Sequence, residues 1–220
     1  MRTRVKICGF TRVDEAVSAS CLGADAVGLV FYPSSPRHVD IGQAIKIVNA
    51  LPAFTTAVAL FVDEQEARIR EILGQVAIDC LQFHGDEPPA ACRLYGKRYI
   101  KAVRMHEGIN LPAIARAYHD AAGLLLDAYR PDAKGGTGHC FDWELIPKEG
   151  CGVPIILAGG LDATNVRQAI QAVRPYALDV SSGVEMEKGV KDRVKMAAFL
   201  KAANEFEPHE FGQNEHDRKI

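Results

Sequence analysis

The sequence predicts an α/β fold, a closed (β/α)8 TIM barrel in a single domain. Short apolar runs recur along the chain, the segments between several of them show helical spacing, and the runs number eight. Several runs are apolar at consecutive positions, as in parallel strands buried on both faces. The count of eight favours a closed barrel over an open doubly wound sheet. The predicted strands are Val5–Ile7, Ala26–Val30, Ala57–Phe61, Cys80–Phe83, Ile100–Val103, Gly123–Leu126, Pro154–Leu157 and Ala177–Val180.

The segments between these strands predict helices. Thr11 precedes an apolar pattern and is predicted to cap the first helix. The stretch after Asp127 is rich in turn formers, so its helix near Phe141–Glu144 must be short. Two later segments place apolar residues at helical spacing, namely Val166, Ala169, Ile170 and Val173, and then Met196, Phe199, Leu200 and Ala203.

The domain organisation follows from composition along the chain. No linker interrupts residues 1–204, which are predicted to form the barrel. Residues 205–220 are polar and charged and have little to bury, so we expect a disordered C-terminal tail.

Bulk composition narrows the classes of partner and location. The 220 residues are 48% hydrophobic and 25% charged, with a net charge of −2. No basic block suggests nucleic acid as a partner, and no apolar run reaches the roughly 20 residues that cross a bilayer. The N-terminus lacks the apolar segment of a secretory signal, which predicts a cytoplasmic location. The six cysteines have no CxxC or Cys/His cluster, so we expect reduced thiols and no metal site.

Two residues at strand ends could carry acid–base chemistry. Cys8 follows the first strand and shares its face with Lys6, whose ammonium would favour the thiolate and make it a better base. Asp127 ends a strongly apolar strand, where a carboxylate is costly unless it is exposed or paired. The carboxyl ends of barrel strands are where barrel enzymes keep their sites. A small buried thiol and a loop-capping carboxylate are the alternatives.

Several loops could bind a substrate at the same rim. Gly159-Gly160 follows the seventh strand and Ser181-Ser182-Gly183 follows the eighth, where backbone N–H groups of barrels hold phosphate. A third Gly-rich loop, Lys134–Gly138, permits close backbone approach to a ligand or is simply flexible. Arg37 sits in a proline-stiffened loop, and its planar fork suits a carboxylate. The fourth strand ends in Gln82 and His84, which add polar groups to this rim.

Together these motifs resemble the phosphoribosylanthranilate isomerase family of tryptophan biosynthesis, over about residues 4–203. Matching a single motif would be weak evidence, but all seven occur in the family's order. They are Lys6–Gly9, Phe31–Arg37, Leu81–Gly85, Leu126-Asp127, Gly135–Gly138, Leu157–Leu161 and Asp179–Glu185.

The resemblance implies an Amadori rearrangement of N-(5′-phosphoribosyl)anthranilate, with Cys8 as general base and Asp127 as general acid. Arg37 would hold the anthranilate carboxylate, and the loops after strands seven and eight would hold the phosphate. Gln82 and His84 are assigned to substrate binding. The substrate's own nitrogen delocalises the electrons, so no cofactor or metal is expected. We expect a monomer or a homodimer that acts on a small phosphosugar.

Two other functions remain open from the residues alone. Another sugar-phosphate isomerase or epimerase would explain the phosphate loops, but it gives Arg37 no carboxylate to hold. A barrel that binds a phosphosugar without turnover needs no acid–base pair. Turnover of substrate separates this binder from the two enzymes.

Overall fold

The computed structural model describes residues 2–128, 142–147 and 150–205. Eight parallel strands form one closed barrel in chain order, which confirms the predicted fold. The barrel closes where the last strand pairs with the first, with Lys6 opposite Asp179 and Ile7 opposite Val180. The strands are β1 (Arg4–Cys8), β2 (Ala26–Val30), β3 (Thr56–Phe61), β4 (Cys80–Phe83), β5 (Arg98–Met105), β6 (Gly123–Ala128), β7 (Ile155–Leu157) and β8 (Ala177–Val180).

Helices surround the barrel. The predicted helix near Phe141–Glu144 is a short 3₁₀ turn at Trp143–Leu145 within the described residues, and two more 3₁₀ turns lie at Arg93–Tyr95 and Ser182–Val184. A two-stranded hairpin that the sequence did not predict, β9 (Glu185–Glu187) and β10 (Val190–Lys191), follows the last barrel strand. The α-helices are α1 (Val13–Cys21), α2 (Ile41–Ala50), α3 (Glu66–Gln75), α4 (Pro89–Cys92), α5 (Leu111–Ala117), α6 (Val166–Val173) and α7 (Arg193–Asn204).

Consecutive apolar residues are explained by the two buried faces of each strand. On β6, Leu124 and Leu126 belong to the cluster between barrel and helices, whereas Leu125 belongs to the cluster inside the barrel. All three are fully buried. Since side chains alternate along a strand, both faces must be apolar where helices cover the outside.

The helical pattern of the last segment is confirmed, but the predicted first cap is wrong. Met196, Phe199, Leu200 and Ala203 of α7 are all buried. Helix α1 begins at Val13, and no side chain caps it. The Thr11 hydroxyl instead donates to the Gly189 carbonyl, 2.8 Å away, so a distant hairpin takes the group that would have capped the helix.

Two further findings concern the ends and the surface of the chain. None of the helices within the described ranges is both long and apolar enough to cross a bilayer. Glu205 caps α7 and pairs with Arg167, while the rest of the predicted tail, residues 206–220, lies outside the described residues.

Candidate active site

A cavity of about 490 Å³ opens at the carboxyl ends of the barrel strands. It collects nine of the predicted site residues, which lie in six different strand-to-helix regions: Cys8, Arg37, Gln82, His84, Asp127, Gly159, Gly160, Ser181 and Ser182. Gly183 is not part of the lining; it packs behind it, against the backbone of Leu161. The predicted Gly-rich loop Lys134–Gly138 lies outside the described residues.

Cys8 sits at the end of β1 in tight contact with the neighbouring strand. It lies opposite Gly28 of β2, where an added Cβ would come 2.6 Å from Cys8 Sγ. The thiol is 5% exposed. A glycine is therefore needed at position 28 to make room for the thiol at the rim of the cavity.

Lys6, which was predicted to favour the Cys8 thiolate, is itself paired with a carboxylate. Lys6 points into the barrel as expected, but its Nζ donates to Asp179 Oδ1 at 2.8 Å in a buried ion pair. Burial lowers the pKa of Lys6, while the charges of Asp179 and Cys8 raise it, and the net shift is upward. Lys6 therefore stays an ammonium ion, with its charge largely matched by Asp179.

The predicted effect of Lys6 on Cys8 is present, since Lys6 lowers the pKa of the thiol, but burial makes the net shift upward. Burial raises the pKa of Cys8, and the Asp179 carboxylate raises it further. Lys6 and Lys191 both lower this pKa, but they do not outweigh burial. The resting thiol is therefore protonated at neutral pH, which costs less in this dry position than a thiolate.

Asp127 stands at one end of a row of polar contacts. The other members are His84, in the loop after β4, and Gln82, on β4 itself. Asp127 Oδ2 lies 3.3 Å from His84 Nε2. On the other side of the imidazole ring, Gln82 Nε2 lies 3.0 Å from His84 Nδ1. Gln82 is fully buried, and Asp127 is 7% exposed. The two predicted substrate-binding residues therefore contact each other, and His84 also contacts the predicted acid.

The loop that carries His84 is fixed from outside the barrel by a buried ion pair. Lys101 of β5 donates to the Gly85 carbonyl at 2.6 Å and to Glu87 Oε2 at 3.0 Å. Glu87 Oε1 accepts the N–H of Asp63 at 2.8 Å. This network ties the loops after β3 and β4 together, so the His84 ring has a well-supported backbone.

Arg37 is held by the hairpin that follows β8. Its Nε and Nη2 donate to the two carboxylate oxygens of Glu185, each at 2.7 Å. The buried Lys191 donates to the same carboxylate at 2.8 Å. Burial alone would raise the pKa of Glu185, but Arg37 and Lys191 outweigh it and lower the pKa. Glu185 therefore stays ionised and orients the guanidinium at the cavity.

The predicted phosphate loops adjoin each other at one side of the cavity. Gly159 and Gly160 follow β7 with φ of +82° and +66°, a backbone that favours glycine. Ser181 follows β8, and its hydroxyl donates to the carbonyl of Cys8 at 2.9 Å. The Ser181 side chain therefore links the loop after β8 to the end of β1.

Comparison with known proteins decides the family. The family model described as N-(5′-phosphoribosyl)anthranilate isomerase matches residues 5–202. The chain belongs to this family. The N-(5′-phosphoribosyl)anthranilate isomerase of Nitrosococcus oceani is 56% identical over 204 residues, which cover 93% of this chain and 98% of that relative. The family resemblance of the motifs is therefore confirmed.

Solved members of the isomerase family share the fold. One, in complex with reduced 1-(o-carboxyphenylamino)-1-deoxyribulose 5-phosphate, is 39% identical with a TM-score of 0.79, covering 91% of this chain and 98% of that one. Another, solved as monomers generated from the dimeric enzyme of Thermotoga maritima, is 36% identical with a TM-score of 0.81. It covers 93% of this chain and 100% of that one.

Sequence reasoning missed the residues that support the isomerase family's motifs here. Asp179, Glu185 and Lys191 are buried charged residues. Asp179 pairs with Lys6, and Glu185 pairs with both Arg37 and Lys191. Asp179 in the middle of an apolar strand was a usable signal, since a buried carboxylate requires a partner. Nothing in the sequence pointed to Lys191 as a supporting residue. Across the ranges that the structure describes, no three His, Cys, Asp or Glu side chains cluster as metal ligands would.

Proposed function

We propose that this chain catalyses the Amadori rearrangement of N-(5′-phosphoribosyl)anthranilate to 1-(2-carboxyphenylamino)-1-deoxyribulose 5-phosphate in tryptophan biosynthesis. The observation that carries the proposal is that Cys8 and Asp127 line one cavity in a member of this isomerase family. The relative solved with a reduced form of the product supports the same substrate class.

In the proposed chemistry, the Cys8 thiol, which is protonated in the resting protein, gives up its proton as the substrate binds, and Asp127 takes one up. Each of the two groups then moves one proton of the substrate. Neutral Asp127 protonates the ribose ring oxygen, the C1′–O bond breaks, and the nitrogen lone pair forms the Schiff base. The Cys8 thiolate then takes the C2′ proton, and the released electron pair forms the enolamine. In the ketonisation step the Cys8 thiol gives its proton to C1′, and the Asp127 carboxylate takes the proton of the C2′ hydroxyl, so both groups return to their starting states. The whole cycle therefore consumes no proton.

The two ends of the substrate would fix the reacting carbons between acid and base. Backbone N–H groups of the loops at Gly159-Gly160 and Ser181–Gly183 would hold the phosphate. Arg37 would hold the anthranilate carboxylate. Glu185 uses Nε and Nη2 of this guanidinium, which leaves its Nη1 amino group for the substrate. Such orientation can supply several kcal/mol of a barrier.

Arg37→Ala is expected to raise KM about 10-fold or more while kcat changes little, because a charged hydrogen bond to the substrate carboxylate is lost. Steady-state kinetics with the purified substrate measures both constants. Arg68→Ala is the matched control, since Arg68 pairs with Glu71 on the exposed face of helix α3. An unchanged KM in Arg37→Ala would remove this residue from carboxylate binding.

Gly28→Ala is expected to lower kcat about 10-fold or more, because the new methyl group would displace the Cys8 thiol from its working position. The control is Gly74→Ala on helix α3, where an added Cβ meets nothing within 4 Å. Kinetics and thermal unfolding of both variants check the prediction. Equal kcat in the two variants would show that the thiol's position does not matter.

The direct test is the loss of fluorescence of freshly prepared phosphoribosylanthranilate when the wild-type protein is added. Turnover supports the proposal, and an inert wild type contradicts it. Binding of a phosphosugar analogue by an inert protein would favour a barrel that only binds. We also propose that the protein acts in the cytoplasm, as a monomer or as a homodimer like the Thermotoga maritima relative. Light scattering decides between these two states.

A further inference from the structure

The amide of Gln82 is buried with a partner on one side only. Its Nε2 contacts His84 Nδ1 at 3.0 Å, whereas its Oε1 is buried and makes no hydrogen bond to any part of the chain that the structure describes. A buried amide oxygen without a partner is costly, because its hydrogen bonds to water are lost and not replaced. Such a group calls for a functional explanation.

The Gln82 amide determines which nitrogen of His84 carries the proton. An amide nitrogen has only hydrogens to offer, so His84 Nδ1 must accept, and a neutral ring then carries its proton on Nε2. That proton faces Asp127 Oδ2, 3.3 Å away. An N–H at this distance favours the ionised form of Asp127, which is the state of the acid after it has given its proton away.

A half-turn of the same amide favours the opposite state of Asp127. With Oε1 of Gln82 against the ring, Nδ1 of His84 carries a proton and donates it. The ring and the carboxyl group together then hold one more proton, either as neutral Asp127 donating to Nε2 or as imidazolium beside the carboxylate. The amide makes one hydrogen bond to the ring in either orientation, so the partners seen in the structure do not lock it in place.

We propose that Gln82 is a positioning residue that acts through His84 to set the protonation state of Asp127. This rests on the proposed function, in which Asp127 is the acid. The two amide orientations match the two states that one turnover requires. Neutral Asp127 opens the ribose ring, and the resulting carboxylate faces the Nε2 proton until ketonisation returns a proton to it. The sequence assigned both Gln82 and His84 to substrate binding, and this role differs from that assignment.

Other charged groups around the pair come from three strands. Asp179 of β8, paired with Lys6, lines the same cavity as Asp127 and disfavours a second negative charge there. Cys8 of β1 lines it too. Arg104 of β5 reaches the His84 carbonyl oxygen at 3.5 Å and not the ring. The Gln82 amide is therefore the group placed to choose between the two ring nitrogens.

The test uses two variants of Gln82. In Gln82→Glu the new side chain can only accept hydrogen bonds, and in Gln82→Met it can neither donate nor accept them. Nitrogen-15 NMR of the histidine rings in the full chain shows which His84 nitrogen is protonated, with the signal assigned by its loss in His84→Asn. The wild type is expected to carry the proton on Nε2 at neutral pH. In Gln82→Glu the new carboxylate accepts from Nδ1, so the proton is expected to move there. In a plot of kcat against pH, the fall of kcat on the alkaline side is expected to move to a pH about one unit higher, because the added carboxylate disfavours loss of the proton.

Gln82→Met keeps the interior apolar and serves if the buried carboxylate of Gln82→Glu prevents folding. Because the new side chain neither donates nor accepts a hydrogen bond, His84 is expected to lose its preference for a single tautomer. We expect kcat to fall about 10-fold with KM unchanged. Gln65→Glu is the control, because it makes the same substitution at an exposed helix end, where no side-chain capping bond is made. It is expected to leave both readouts as in the wild type.

Three results overturn the proposal. One is an unchanged His84 tautomer in both Gln82 variants, and another is a tautomer that changes without any effect on the pH profile. The third is a raised KM with no shift of the profile, which would make Gln82 a substrate-binding residue. An inert wild type contradicts the proposed function instead, and the NMR experiment still decides whether Gln82 sets the tautomer.

Discussion

Cys8→Ala is expected to fold like the wild type and to lose kcat by about 10²-fold or more, because no other group is assigned to take the C2′ proton. The change removes one small buried atom, so the barrel loses little packing. Kinetics with phosphoribosylanthranilate, together with thermal unfolding, measures the effect. Near-wild-type turnover would remove the thiol from the mechanism.

Cys80→Ala is a close control for this substitution. Cys80 is also a barrel residue with 5% exposure, but it belongs to the apolar cluster inside the barrel, away from the cavity. The same loss of a sulfur atom there is expected to lower stability and to leave kcat nearly unchanged. A similar loss of activity in both variants would point to a packing effect and not to a base.

The thiol also sets a pH dependence with a definite sign. Burial raises the pKa of Cys8, and the nearby Lys6 and Lys191 only partly offset it. The thiolate fraction of the free enzyme therefore grows as the pH rises above neutrality, and kcat/KM is expected to increase with it on the acid side of the profile. Cys8→Ala should remove this limb from any residual activity.

The strands and the two strand-end residues could be predicted because the information is local. A strand covered on both faces must be apolar at consecutive positions, and β6 shows this with Leu124, Leu125 and Leu126. Cys8 and Asp127 stand where such runs end. In a barrel all strands point the same way, so their ends meet at one rim.

The supporting contacts could not be predicted because their partners lie far apart in the chain. Lys6 and Asp179 are 173 residues apart, and Arg37 and Glu185 are 148 apart. Spacing along β1 places Lys6 beside Cys8, but it contains no sign that Asp179 matches its charge. The sequence could therefore give the direction in which Lys6 shifts the pKa of the thiol but not the net shift, since desolvation and a second charge act along with the nearest one.

Asp127→Asn is expected to lose kcat by about 10²- to 10⁴-fold, because an amide cannot give a proton to the ring oxygen. The volume is nearly the same, and the Asn carbonyl can still accept from His84 Nε2, so the cavity keeps its shape. Binding of a reduced product analogue, measured by calorimetry, is expected to be largely retained.

Asp79→Asn is the control, since Asp79 accepts the N–H of Ala57 at 2.8 Å outside the cavity lining. A variant that binds the analogue and still turns over substrate at the wild-type rate would mean that the ring opens without Asp127. The proton would then come from another group in the cavity, and His84 would be the first residue to replace.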